Sequence, residues 1–419
     1  MTASDKAAVL TDQHEMTTAP HSQRDDVPLF SKVKKFAEVR SLVPSEIYPY
    51  FRPISSAQDT EVIIDGQKVL MLGSNSYLGL TNHPQIKEAV AAAVAKYGSG
   101  CAGSRFLNGT LDIHLELEDK LARFVGKEAA LLYSTGFQAN FGTIGCMVER
   151  GEYVLADKED HASIVDGCLL SFGRFIRFDH NDMASLAQRL EKLKPESGKL
   201  IVVDGVFSMG GDITPLPEVV ALAEKHRAAV MLDDAHGIGV LGHGGSGTAD
   251  HFGMTDRVQI IMGTFSKSLA SLGGFIASDA ATIDFLKHNS RSLIFSASMT
   301  PANAAAVSEA LEIIKREPER IARLWQNTRM MKEGLQSLDL EVGDSQTPII
   351  PVYCYEDHRA FTVTMALQKE GVFVNPVISP AVPPNMALIR VSLMATHTQD
   401  QINFALEKIA KVGREVGLI

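Results

Sequence analysis

Lys267 is the only charged residue in the run VQIIMGTFSKSLASLGGFIAS, residues 258–278. A lysine on a wet face normally keeps charged neighbours. An amine set among apolar and hydroxyl side chains loses hydration, and desolvation lowers its pKa toward a usable nucleophile. Such an amine can hold an aldehyde cofactor as a Schiff base. Asp233-Asp234-Ala235-His236 stands at the carboxyl end of an apolar run, AVMLD, that reads as a strand. Open α/β sheets place ligands at that edge. A carboxylate there either caps the next helix or meets a cation; as a metal site, Asp-Asp-x-His lacks further convergent ligands. Asp160-His161-Ala162-Ser163 follows a second strand end, so His161 is either a satisfied structural histidine or a catalyst. Ser134-Thr135-Gly136-Phe137-Gln138-Ala139-Asn140 follows a third strand and opens a helix. The free N–H groups and the dipole at such a start favour a phosphate, although a plain capped turn has the same residues.

Two further strings carry less. Gly98-Ser99-Gly100-Cys101-Ala102-Gly103 matches the dinucleotide pattern GxGxxG, but a helical stretch precedes it and loop residues follow. The dinucleotide mechanism needs a strand before and a helix after. It reads better as a loop allowing close backbone approach near an active site. Gly263-Thr264-Phe265-Ser266-Lys267-Ser268 lacks the glycine that a phosphate-binding P-loop carries before its lysine.

Elements must bring these segments together. Strand patterns fall at 129–133, 153–156, 174–178, 199–204, 229–233, 258–262 and 275–277. Helical patterns lie between them at 137–147, 183–193 and 217–227, preceded by 85–97 and 113–124. Short apolar strands joined by crossover helices mean a parallel sheet covered on both faces. We therefore expect an α/β large domain over residues 83–300. A smaller α+β C-terminal domain, 301–419, follows: a long helical stretch 302–338 interrupted at Pro318, strands at 349–353, 372–374 and 388–393, and helices at 360–370 and 398–412. Residues 1–28 read as a polar tail. Residues 29–82 read as an arm: an amphipathic helix 29–42 with Phe30, Val33, Phe36 and Val39 at helical spacing, then a hairpin of 61–64 and 68–72 across Asp65-Gly66.

Composition narrows the class. The 419 residues are 45% hydrophobic and 21% charged, the proportions of a globular protein with a sizeable core. A net charge of −10 argues against a nucleic-acid partner, which needs a basic surface. Cys101, Cys146, Cys168 and Cys354 are far apart, which fits neither a disulfide framework nor a zinc site and suits a reducing cytoplasm. No signal core and no run of about twenty apolar residues occurs, so we expect a cytoplasmic protein, with peripheral membrane contact left open.

Together the segments SNSYLGL (74–80), GSGCAGSRFLNGT (98–110), STGFQAN (134–140), DHASIVDG (160–167), DGVFSMGGD (204–212), DDAHGIGVLG (233–242) and GTFSKSLASLGG (263–274) resemble one family. It is the pyridoxal-phosphate-dependent α-oxoamine synthases of fold type I, and the resemblance spans about residues 45–415. It implies a mostly parallel seven-stranded sheet, pyridoxal 5'-phosphate as cofactor and a homodimer with shared sites. Lys267 would carry the cofactor and later move the Cα proton. Asp233 would keep the pyridine nitrogen protonated. His236 would bond the ring hydroxyl with Ser208 near the same edge, and His161 would stack on the ring and meet the substrate. Gly136 and Phe137 N–H groups and Thr264 would hold the phosphate, helped by Ser296, Ala297 and Ser298 of the partner subunit. Arg390 would take the amino-acid carboxylate by a bidentate fork. YPYFRPI (48–54), FLNGTLDIHLELE (106–118) and NPVISPAVPP (375–384) are most similar to the bacterial members that join L-serine to a long-chain acyl-CoA, palmitoyl-CoA, giving 3-oxosphinganine, CoA and carbon dioxide. Ser76 lies where some of these carry an asparagine and is the candidate for the serine hydroxyl. Open alternatives are a member using glycine or alanine, such as a glycine C-acetyltransferase, an aminotransferase on the same fold, and a non-enzymatic binding module.

Overall fold

Seven short strands, apolar but for their ends and for Arg177 in the edge strand, form the central sheet. A computed structural model describes residues 27–41 and 48–419. It begins with β1 (Glu61–Ile64), β2 (Gln67–Met71), β3 (Ala129–Tyr133), β4 (Tyr153–Asp157), β5 (Arg174–Phe178), β6 (Lys199–Asp204) and β7 (Ala229–Asp233). Then follow β8 (Ile260–Thr264), β9 (Gly274–Ser278), β10 (Ile349–Tyr355), β11 (Val372–Phe373), β12 (Asn375–Val377) and β13 (Ala387–Ser392). The large sheet has the order β3-β9-β8-β7-β6-β4-β5, parallel except where β9 runs against β3 and β8. Successive side chains of a strand point to opposite faces. Val230 and Leu232 accordingly join one apolar cluster while Met231, between them, joins the other.

Parallel register sets the chemistry at one edge. Asp204 and Asp233 end adjacent strands as register partners, and Asp233 stands opposite Met262 of β8. Asp157, Asp204, Asp233 and Thr264 thus share the carboxyl edge of the sheet, where the loops carrying the singled-out strings emerge.

A second sheet, β10-β13-β12, is antiparallel, with Arg390 opposite Pro351 on one side and Asn375 on the other. The cluster holding Leu232 also holds Ile349, Ile389 and Leu393, so this sheet packs into the same core. The hairpin of β1 and β2 forms across Asp65-Gly66 and takes β11 as a third, parallel strand, a pairing with residues some 300 positions away. No helix among the described residues is long and apolar enough to cross a membrane.

Some expectations shift. The strand expected at 258–262 begins at Ile260, because Val258 belongs to the turn before it. The helix Ala162–Leu170 was not anticipated; it is short, lacks apolar periodicity, and starts from His161 as its cap. The glycine string at 98–103 follows the helix Pro84–Tyr97 and precedes loop, which removes the dinucleotide reading. The N-terminal helix Ser31–Ser41 follows a 3-10 turn at Pro28–Phe30. Its Phe30, Val33 and Phe36 are exposed, so the apolar spacing there does not report a buried face. Leu42 and the tail up to residue 26 lie outside the described residues.

Candidate active site

Lys267 follows β8 by three residues, in a tight turn that returns the chain into β9. Ala270 N–H bonds back to the Lys267 carbonyl at 3.1 Å with φ of 58° at Ala270. Gly273, at φ 140°, closes the turn; a Cβ there would lie 2.6 Å from Met299 Sδ and 2.7 Å from the Phe265 ring. Small residues are therefore required around the lysine, and they leave its amine partly open to a cavity of about 230 Å³. Gly136, Phe137, His161, Ser208, Asp233, His236, Thr264 and Lys267 all line that cavity. Burial lowers the Lys267 pKa to about 8, although Asp233 and Asp204 oppose the shift. The amine is thus partly neutral near physiological pH, as a nucleophile needs.

Part of the cavity wall is an ordered polar chain. Asn140 Nδ2 donates to Asp233 Oδ2 at 2.6 Å and to Ser163 Oγ at 2.8 Å. Ser163 Oγ lies 2.7 Å from His161 Nδ1, which also accepts the Ser163 N–H at 3.2 Å. Nδ1 is then the acceptor, so the network assigns the proton of His161 to Nε2. Burial lowers the His161 pKa, against the pull of Asp233, which keeps the ring neutral. Asp233 Oδ1 accepts the Ala235 N–H at 3.0 Å. The carboxylate is 3% exposed, and no ion pair among the described residues includes it. A buried anion without a counterion is costly, so the site is complementary to a cationic N–H. Asp234 does separate work: both its oxygens take Thr248 groups at 2.6 Å, and no cluster among the described residues has the makings of a metal site.

The helix Gly136–Met147 aims its first turn at the same space. Thr135 caps Gln138 N–H at 3.1 Å and its carbonyl takes Ala139 N–H, which leaves the Gly136 and Phe137 N–H groups for a ligand. A Cβ on Gly136 would lie 2.8 Å from Thr264 Oγ1, so only glycine lets the helix start approach the hydroxyl this closely. Two free N–H groups, a hydroxyl and the helix dipole suit a phosphate. An amine for an aldehyde, a buried carboxylate for a pyridinium and this cradle together fit pyridoxal phosphate. Ser296 and Ala297 of the same chain contact Gln138 and Ser134, and Ser298 N–H bonds Gly103 O at 2.9 Å.

Arg390 stands beside the cavity rather than in its wall. Its guanidinium is 5% exposed and donates only to neutral groups: Ser208 O at 2.7 Å, Asn75 Oδ1 at 3.0 Å, Ser392 Oγ at 2.7 Å and Tyr77 Oη at 3.2 Å. A buried cation without a carboxylate is the counterpart of Asp233, and an incoming carboxylate would compensate it. His236, buried and lining the cavity, has its pKa held well below the ordinary value by burial, then by the Lys267 and Arg390 charges. Ser76 is not brought to the cavity: its hydroxyl lies 2.8 Å from Thr81 Oγ1, and its neighbour Asn75 reaches Arg390 instead. Sequence reasoning missed Asn75, Tyr77, Asn140, Ser163 and Asp204, although each sits inside or beside a singled-out string. Asp204 lines the cavity and accepts the His161 N–H at 3.0 Å; burial and the neighbouring carboxylates of Asp233 and Asp160 push its pKa well up.

Known proteins share this arrangement of chain. A family model described as aminotransferase class I and II matches residues 67–409. Serine palmitoyltransferase of Sphingobacterium spiritivorum is 57% identical over 387 residues, spanning 92% of this chain and 97% of that one. The enzyme of the same name from Bacteroides thetaiotaomicron is 52% identical over 391 residues, 93% of this chain and 99% of that one. Among solved structures, an alanine-for-lysine variant of S. paucimobilis serine palmitoyltransferase with bound PLP–myriocin aldimine superposes with a TM-score of 0.91. It is 36% identical and the match covers 94% of this chain and all of that one.

Proposed function

We infer the reaction from one premise: the chain belongs to the aminotransferase class I and II family. It is a pyridoxal-phosphate-dependent acyltransferase that condenses L-serine with palmitoyl-CoA to 3-oxosphinganine, releasing CoA and carbon dioxide. The carbon–carbon bond forms between the serine Cα and the thioester carbonyl carbon, the C–S bond breaks, and the carboxyl group leaves as carbon dioxide.

The observation that carries this reading is a pair of buried charged side chains, Asp233 and Arg390, that form no ion pair among the described residues and lie within electrostatic reach of one amine of lowered pKa. Bound in the cavity, pyridoxal phosphate supplies an electron sink that acidifies the amino-acid Cα–H. The chain supplies the rest. Lys267 Nζ would hold the aldehyde carbon and, once the serine amino group displaces it, would as a neutral amine take and return the Cα proton. Asp233, fixed by Asn140 and the Ala235 N–H, keeps the pyridine nitrogen protonated. The Gly136 and Phe137 N–H groups and Thr264 would hold the phosphate, His161 would stack on the ring and meet the substrate, and His236 with Ser208 would serve the ring hydroxyl. Arg390 receives the serine carboxylate. The assembly is a homodimer whose second copy covers exposed apolar side chains beside the cavity.

The test is the near-visible absorbance of the purified protein, titrated with L-serine, glycine and L-alanine, followed by CoA release from palmitoyl-CoA. A band that responds saturably to serine, absent in Lys267→Ala, is expected. A band responding to glycine or alanine but not serine would replace the substrate, and no band with added pyridoxal phosphate would remove the cofactor.

A further inference from the structure

Between the carboxylate anchor Arg390 and His236 lies one buried phenol. Tyr77 is 1% exposed, and its backbone is pinned on both sides: its N–H bonds Asn75 O at 2.8 Å and its carbonyl takes the Ala395 N–H at 2.7 Å. Its hydroxyl oxygen lies 3.2 Å from Arg390 Nη2, 2.7 Å from His236 Nδ1 and 3.5 Å from Asn75 Oδ1. A guanidinium only donates, so the phenol oxygen accepts from Arg390. The single phenol hydrogen then goes to the nearer acceptor, His236 Nδ1, rather than to the distant Asn75.

We propose that Tyr77 is a positioning residue that couples carboxylate binding at Arg390 to the hydrogen bond His236 offers the cofactor, by holding His236 as its Nε2–H tautomer. The inference rests on the cofactor and substrate reading above. Its physical basis is cooperative polarisation: an acceptor loaded by a cation becomes a better donor in turn. The Arg390 charge strengthens the Tyr77 O–H···Nδ1 bond, and the histidine offers its opposite N–H to the cavity it lines.

A donor count at Arg390 supports the coupling. Of its five N–H hydrogens, Nε–H goes to Ser208 O, the two on Nη1 go to Asn75 and Ser392, and one on Nη2 goes to Tyr77. One Nη2 hydrogen remains. A carboxylate therefore gains a single N–H unless an existing partner yields, and the partner on the same nitrogen is Tyr77. A carboxylate on that hydrogen shares Nη2 with Tyr77 and so acts on the cation that loads the phenol, whereas a two-nitrogen fork would also need a hydrogen now given to Ser208, Asn75 or Ser392.

The experiment uses cofactor-loaded enzyme as wild type, Tyr77→Phe, Arg390→Lys and the double variant, and reads the resting visible band before and during L-serine titration. Tyr77→Phe is expected to displace the serine-free band and to raise the serine saturation constant about tenfold. Arg390→Lys, which keeps the charge but loses the Nη2 donor, should displace the band in the wild-type background and not further in Tyr77→Phe. A Tyr77→Phe enzyme with an unchanged resting band and only a lower melting temperature would make Tyr77 structural. Additive effects would also overturn the coupling. If wild type shows no band at all, the cofactor reading falls and the coupling falls with it. Should Tyr77→Phe not fold, nitrogen-15 spectra of histidine-labelled wild type and His236→Asn decide. An unprotonated Nδ1 at His236 is expected, and a protonated one overturns the proposal.

Discussion

Lys267 has a pKa of about 8 because burial removes hydration from its ammonium. Only the neutral amine attacks an aldehyde, so the rate at which the cofactor-free enzyme takes up pyridoxal phosphate should rise with pH through a midpoint near 8. A midpoint at the ordinary lysine value would mean the amine is solvated. Asn140 makes a different kind of contribution, since it lines the cavity and orients Asp233 and Ser163 without itself taking part in proton transfer. Asn140→Ala removes a hydrogen bond to a buried carboxylate, worth about 1.5–3 kcal/mol. Cofactor retention should weaken by tenfold or more, as an equilibrium dialysis series would show. The lysine, the aspartate and the helix start were legible because each is announced by its own neighbours in sequence. Asn140 and Tyr77 were not, because their partners lie 93 and 159 residues away and no local pattern records such a meeting.

Strands and their exit loops explain how these side chains meet. Three strands, at 129–133, 199–204 and 229–233, sit where apolar runs place them, because burial on both faces demands nearly unbroken apolar sequence, whereas the edge strand at 174–178 keeps its place although Arg177 interrupts it. The pairing of β2 with β11 and the helix at Ala162–Leu170 left no such mark: the one is non-local, the other begins from a histidine cap. One inter-element clamp bears on the site. His180 Nδ1 meets Asp157 Oδ1 at 2.9 Å at the end of β4, and its Nε2 meets Asp212 Oδ2 at 3.0 Å in the turn after β6 that carries Ser208. Burial alone would lower the His180 pKa, but hydrogen bonds to Asp157 and Asp212 carry it up to about 10. A folded pKa above the unfolded one stabilises fully below the unfolded value, about 6.5, and loses that contribution as pH rises toward 10. The melting temperature gap between wild type and His180→Gln should therefore be widest below pH ~6.5 and close as the pH approaches 10. A gap constant across that range would mean that the imidazole acts only by its shape.

At the scale of the whole molecule, the chain leaves an apolar surface that a monomer would not keep. A hollow of about 660 Å³ is lined by Phe141, Cys146, Leu170, Phe172, Phe285 and Phe295, and Phe172 and Phe295 are 71% and 75% exposed. Contiguous exposed apolar patches mark interfaces. Gln138 and Ser296 line the same hollow, and Gln138 belongs to the helix whose start forms the phosphate cradle. Covering this face with a second copy would shield the cradle from water and bring another Ser296–Ser298 segment close to it. Sedimentation should give twice the 45.4 kDa chain mass. Phe172→Glu combined with Phe295→Glu should shift the enzyme to single chains and weaken cofactor retention together, because the interface and the cradle share a helix. Single chains that hold the cofactor as tightly as wild type would separate the two, and would make the apolar hollow a feature of surface rather than of assembly.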